Sequence, residues 1–295
     1  MSAVVSTMAG SVWRHRRDDY LARVRPLASD RVIRSGRKHP VYDFLFEYYS
    51  YRPAHLLRWT PGIGVVLSGA TLADSDWPSL FGECDDGIVL PPESFPEHRR
   101  KYLHWAINYL QTVQDREPVF GCFGLHEWAM VYRSDDVRHS RVPLRLSHEE
   151  TAAVVDSSVL RCTHYDAFRF FTPAAVPLNR STLSRETTTA HDQPGCVHVN
   201  MDLYKFAFKL APFVSSDVIA QAFEVAVMAR ELDMRASPYD LGEFGFAPIR
   251  IETREGREEY AEGQRAVWRR GAPVRDHLQR EYQRVAALVQ QASDV

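Results

Sequence analysis

Two segments of similar design concentrate the chemistry of this chain. RCTHYDAFRFFTP (161–173) and GCVHVNMDLYKFAFKLAP (195–212) each run Cys-x-His, then an acid within a few residues, then an aromatic and a cation. Read as extended chain, Cys162 with His164 and Cys196 with His198 each share a face, because alternate strand residues point the same way. Two such faces meeting would offer two thiolates and two imidazoles, a tetrahedral zinc set. A second reading takes His164, Asp166 and His198 as the two-histidine, one-carboxylate set that holds non-haem Fe(II) and leaves coordination positions open. His126 and Glu127 of GLHEW extend that set toward a helical iron site. Singly, each of these residues reads as an ordinary hydrogen-bonded core residue. As a group, ionisable and soft side chains in FGLHEWAM, RCTHYDAF, GCVHVNMD and RELDMRASPYDL are costly to bury without purpose.

The candidate catalytic groups are therefore Asp166, His164, His198 and Glu127, and the candidate ligands of iron or zinc are His126, His164, Asp166 and His198. Around them, Tyr204 and Lys205 stand close enough to His198 to join its pocket, and Arg169 holds the matching place after Asp166. In ELDMRASPYDL (231–241), Asp233, Arg235 and Asp240 surround a proline turn. Arg235 can grip a phosphate or carboxylate in a bidentate fork, or fix the helix end through an Arg–Asp network. Arg169, Tyr204, Lys205, Arg235 and Asp240 are the substrate-binding candidates.

A third signal is TPGIGVVLSGA (60–70), a Pro-Gly-hydrophobic-Gly turn like the hairpin of helix-hairpin-helix DNA glycosylases, whose backbone amides face a phosphate. The catalytic aspartate of that fold lies about twenty residues further on, where Asp85 and Asp86 stand here. The VVL after Gly64 is β-rich and poor for a second helix. The four positive charges between Arg31 and Lys38 suit either a polyanion-facing patch or a solvated loop.

What must position these residues is bounded by composition. Of 295 residues, 45% are apolar and 25% charged, the balance of a folded globular protein. A formal charge of −2 leaves no global positive field to hold a polyanion, so any nucleic-acid contact must be local. Four cysteines without a CxxC pair point to a reducing compartment rather than a disulfide framework. With no secretory signal and no apolar run of membrane-spanning length, a cytoplasmic protein with no membrane partner is expected.

Periodicity predicts a mainly α fold with a few short strands, one large globular α-rich domain. Residues 1–30 read as an N-terminal helical extension and 31–295 as a compact α-rich catalytic domain, any subdivision falling near 116–146. Helices are expected over 41–59 with a break at Pro53, from Ser94 through HRRKYLHWAINYLQTVQDR, after Ser147 with capping-box spacing to Glu150, from Asn200, and over 217–235 behind Ser215. Two charged amphipathic helices are expected at 257–270 and 274–291, short strands at HSRVPLRL, around 161–164 and at APIRIET, and a long loop over 173–196 that covers a site. The helical character of 200–235 argues against a jelly-roll oxygenase.

At HPVYDFLFEYYSYRP, CTHYDAFRFFTPAAVPLN, QPGCVHVNMDLYKFAFKL and ARELDMRASPYDL the sequence resembles a group of actinobacterial proteins labelled 3-methyladenine DNA glycosylase, over about residues 31 to 290. The resemblance implies base excision: a damaged nucleobase is flipped out of DNA and its N-glycosidic bond hydrolysed, with a carboxylate supporting the cationic sugar. Asp166, Asp85 or Asp240 would be that carboxylate, Tyr49, Trp59 or Tyr204 would stack the base, and Arg31–Lys38 would meet phosphates. The alternative from the residues themselves is an iron or zinc enzyme acting on a small acidic molecule. A non-catalytic scaffold would explain the helices but not the polar cluster.

Overall fold

Two long apolar stripes set the architecture of the computed structural model, which describes residues 6–30, 39–75, 77–134 and 142–294. The Arg31–Lys38 patch lies outside the described residues. In chain order the helices are α1 (Gly10–Arg25), α2 (Asp43–Glu47), α3 (Pro53–Leu56), α4 (Arg100–Gln114), α5 (Leu125–Ala129), α6 (His148–Asp156), α7 (Tyr165–Phe168), α8 (Thr188–His191), α9 (Val197–Lys209), α10 (Ser216–Arg235) and α11 (Arg254–Ser293). The first stripe is α10, whose Val218, Ala222, Phe223, Val225, Ala226 and Ala229 are buried and whose first turn is capped by the Ser215 hydroxyl on the Asp217 N–H. It packs against α9, α11 and α1, and α11 packs in turn against α4 and α9. The protein is thus mainly α, one helical domain.

The second stripe is α11, a single helix where two are expected. Tyr260, Gln264, Val267, Gly271, Val274, Leu278, Tyr282, Val285 and Val289 are buried at intervals of three and four straight through Pro273. Proline removes one backbone bond, but a stripe that is buried on both sides of it holds the two halves in line.

The strands lie elsewhere than expected. β1 (Ser6–Met8) runs parallel to β2 (Val65–Ser68), which pairs antiparallel with β4 (Gly87–Val89), and β3 (Gly82–Cys84) closes the order β1-β2-β4-β3. The expected hairpin at 60–70 is corrected by β2: Val65, Val66 and Leu67 favour extended chain, and Val66 and Leu67 are buried in the sheet, so no helix follows Gly64. Asp85 and Asp86 form the exposed turn between β3 and β4. At Gly87, φ is 150° and a Cβ would sit 2.1 Å from the Leu67 carbonyl oxygen, so only glycine permits the β2–β4 pairing. Residues 161–164 and 248–250 form no strand, and the described part of HSRVPLRL, residues 142–146, contributes a bridge from Leu144 to Tyr239 and no longer strand. No helix among the described residues is long and apolar enough to cross a membrane.

Candidate functional site

Both Cys-x-His triplets sit at helix starts, not in strands. Cys196 is the N-cap of α9, and His164 is the N-cap of α7. The turn into α9 is held from three sides: Asn200 Nδ2 donates to the Pro194 and Cys196 carbonyls, Gln264 of α11 donates to the Gly195 carbonyl, and Gln193 Oε1 accepts from the N–H of Val119 and Gly195. From that start, His198, Asp202, Lys205 and Lys209 recur at helical spacing and share one face. The neighbouring α10 supplies Arg230 and Asp233, α5 supplies His126 and Glu127, α7 supplies Asp166, and the residue after α8 supplies Asp192.

An inner group forms where α5, α9 and α10 meet. His126, His198 and Asp233 each offer a ligand atom, all within 4.8 Å of one another. His126 Nε2 lies 2.7 Å from Asp233 Oδ1, His198 Nε2 lies 3.8 Å from Asp233 Oδ2, and His126 Nδ1 is 3.3 Å from Cys122 Sγ. Arg230 Nη1 bridges Glu127 Oε1 at 3.4 Å and Asp233 Oδ2 at 3.5 Å, while Glu127 Oε2 is buried with no partner. A cavity of about 20 Å³ opens beside the histidines, lined also by Cys122, Cys162 and Cys196. That is room for one water-sized species.

An outer group lies against it through the imidazoles of His164 and His198, stacked at 5.4 Å between centroids and 10° between planes. His164, Asp166 and Asp202 also hold ligand atoms within 4.8 Å of one another. His164 Nδ1 lies 3.1 Å from Asp192 Oδ1, and Asp192 Oδ2 accepts from the Tyr109 hydroxyl at 2.7 Å. Nε2 of His164 is then turned toward Asp202 Oδ2, 3.7 Å away. Asp202 accepts from the Tyr49 hydroxyl and is bound by the Lys205 ammonium, which also lies 3.5 Å from Asp166 Oδ2. This group floors a cleft of about 290 Å³ walled by Tyr102, Trp105, Tyr109 and Phe206 and bordered by Arg185, Lys205 and Lys209.

Three cations, Arg230, Lys205 and Arg169, face five carboxylates, Glu127, Asp166, Asp192, Asp202 and Asp233. Excess negative charge in the interior demands further positive charge, as protons on imidazoles or as a bound cation. Without a cation, burial lowers the basicity of His126, but Asp233 and Cys122 outweigh it and hold its pKa well above the usual value. His164 is raised in the same way, Asp192 overcoming burial. His198 is pushed well below, by burial and then by the charge of His126, which favours its neutral form. The Asp233 carboxyl is held low: burial opposes ionisation, but His126, His198 and Arg230 more than offset it.

The residues expected from sequence divide accordingly. His126 and His198 fall in the inner group with Glu127 beside them, and His164 and Asp166 in the outer group with Lys205, so no single group holds the four expected ligands. Tyr204 is buried between Tyr49 and Phe223 and does not reach the cleft. Arg169 pairs with Asp166 at 3.2 Å, at the edge of the group. Arg235 and Asp240 are elsewhere: Arg235 binds Glu259 and the Ala247 carbonyl, and Asp240 is exposed, accepting from the Gly242 N–H. Tyr49 and Trp59 are buried core residues, and neither lines the cleft. The 173–196 segment borders the cleft through Arg185 and Thr188 and delivers Asp192 to His164. No family model, curated protein or solved structure matches the chain, and the chemistry of the site has to be read from its own geometry.

Proposed function

We propose that this protein is a metal-dependent enzyme acting on a small acidic substrate, with a divalent first-row metal, iron or zinc, on His126, His198 and Asp233. The observation that carries this reading is the inner group itself: two imidazoles and one carboxylate within 4.8 Å, beside a cavity with room for one small species. Two histidines and a carboxylate leave positions open on iron or zinc, as chemistry requires. The preference of His198 for its neutral form and the unpartnered Glu127 Oε2 fit a cation there. In the cleft, His164 is the acid–base group. Asp192 fixes its Nδ1, as an orienting carboxylate does in other catalytic histidines, and leaves Nε2 to move a proton. Lys205, anchored by Asp202 and Asp166, supplies a fixed positive charge at the cleft floor.

A glycosylase-like reading is favoured by one observation, the aromatic wall of Tyr102, Trp105 and Tyr109 facing Asp166 and Asp202. A base stacked there would bring its sugar near carboxylates able to support a developing cation.

Calorimetric titration of metal-stripped protein with Fe(II) under anaerobic conditions, and with Zn(II), tests the first reading. About one equivalent should bind to the wild type and none to Asp233→Ala. Absence of binding by either ion, with base release from alkylated DNA, would favour the second.

A further inference from the structure

We propose that the cleft recognises a planar aromatic ring carrying an anionic group, the ring lying on the Trp105 wall and the anion on Lys209. The inference rests on the reading of this cleft as the substrate site and names the class of molecule it takes.

Helix α4 turns Tyr102, Trp105 and Tyr109 into the cleft at intervals of three and four. Trp105 stacks on Tyr109 at 5.3 Å and 21°, and Phe206 of α9 lies 6.2 Å away, so the rings form one continuous surface. Trp105 is nevertheless 43% exposed. A large aromatic left open beside a concave site, on a scaffold that holds its edge, is placed to stack a flat partner. At about 290 Å³ the cleft lies near the lower end of small-molecule sites, roughly 300–1,000 Å³.

Charge orients the ligand. The Tyr109 end of the wall adjoins Asp192, and the floor carries Asp166 and Asp202, so an anion is repelled from both. At the other end the Lys209 ammonium stands 4.3 Å from the centre of the Tyr102 ring and has no carboxylate partner among the described residues. Lys205, by contrast, is occupied by Asp202 and Asp166. Burial, and then the positive charges of Lys205 and Arg99, lower the pKa of Lys209, a repulsion that an anion would relieve. The ring edge facing the floor meets carboxylate oxygens and His164, which suits amino, hydroxyl or ring N–H donors. Two sources share this chemistry: a nucleotide and an amino- or hydroxy-substituted aromatic carboxylate.

Adenosine 5′-monophosphate, 4-aminobenzoate and inorganic phosphate, each titrated into wild-type protein by calorimetry and tryptophan fluorescence, test the inference. At least one of the two ring anions should bind about tenfold or more tighter than phosphate, and which one does identifies the source. Trp105→Ala and Lys209→Ala should each weaken that ligand by about tenfold or more, while Trp105→Phe retains most of the affinity. Equal affinity for phosphate and both ring anions, or binding unaffected by Trp105→Ala, would overturn it. Metal content measured on the same samples separates the two ideas. Metal without ring-anion binding removes this inference alone, and ring-anion binding without metal removes only the metal reading.

Discussion

Nε2 of His126 and Oδ1 of Asp233 meet at 2.7 Å in the protein interior, 107 positions apart in sequence. The contact ties the short helix α5 to the end of α10, and it places both side chains where His198 and Arg230 also converge. Its neighbours make the carboxylate indispensable, since Arg230 is fully buried and Asp233 is one of the two carboxylates on it.

Replacing Asp233 by alanine leaves Arg230 and His126 short of a counter-charge in a dry environment. Breaking one partner out of a buried ionic group costs roughly 3–5 kcal/mol. Urea denaturation of metal-free Asp233→Ala should show a loss of that size. A loss below about 1 kcal/mol, the scale of an exposed ion pair, would contradict the buried geometry.

Asp166→Asn separates the two functional readings. Asp166 is partly exposed and contacts Arg169 and Lys205 only at 3.2 and 3.5 Å, so the folded state should lose no more than about 1 kcal/mol. With the metal on the inner group, bound metal should be unchanged. Loss of metal from this variant would move the metal to the outer group. Abolished base release with metal content intact would make Asp166 a glycosylase carboxylate.

Gly271→Ala sets two effects against each other. In an open helix the change stabilises by up to about 1 kcal/mol. Here the new Cβ would lie 2.1 Å from Asn200 Oδ1, the atom that accepts from Arg275, on a side chain that also anchors the start of α9. Overpacking should win, with a net loss of about 1–3 kcal/mol in a chemical denaturation curve. A more stable variant would show that Asn200 is free to move.

The capping box of α6 predicts a pH dependence. The Glu150 carboxyl is held below its usual range by the Ser147 backbone N–H and then by the Ser147 hydroxyl. Because its folded pKa is depressed, the stabilisation is present above the unfolded value of about 4.3 and is lost as pH falls through the folded one. Wild type should therefore be more stable than Glu150→Gln at about pH 7 and equal to it at about pH 3. An advantage that persists in acid would rule out the ionised carboxylate as its source.

Much of this arrangement is legible in the sequence. The helix α10 follows from apolar spacing behind Ser215, and His126, His164 and His198 stand out because ionisable side chains in apolar segments are expensive to bury. Asp202 is hidden by taking Cys196 to His198 as extended, because only a helix starting at Cys196 brings His198 and Asp202 within about 6 Å along the axis, against about 13 Å along a strand. Asp192 is hidden because it follows a single turn of helix in a Pro-, Ser- and Thr-rich segment that has no period. Arg230 carries a usable signal: it lies on the buried stripe of α10, three residues before Asp233, where a lone charge could not be tolerated. The cleft wall of Tyr102, Trp105 and Tyr109 reads from sequence as the apolar face of an amphipathic helix. Only the three-dimensional placement of α9 leaves Trp105 uncovered.

The most direct test of the central claim is the total metal content of wild-type protein purified without a metal-affinity tag, measured beside His198→Ala. His198 is only 13% exposed and carries no close hydrogen bond to Asp233, so its removal should subtract a ligand while leaving the His126–Asp233 contact in place. Wild-type protein should carry about one iron or zinc per chain and the variant a small fraction of that. Wild-type protein that carries no metal, and takes up none when iron or zinc is supplied, would contradict it.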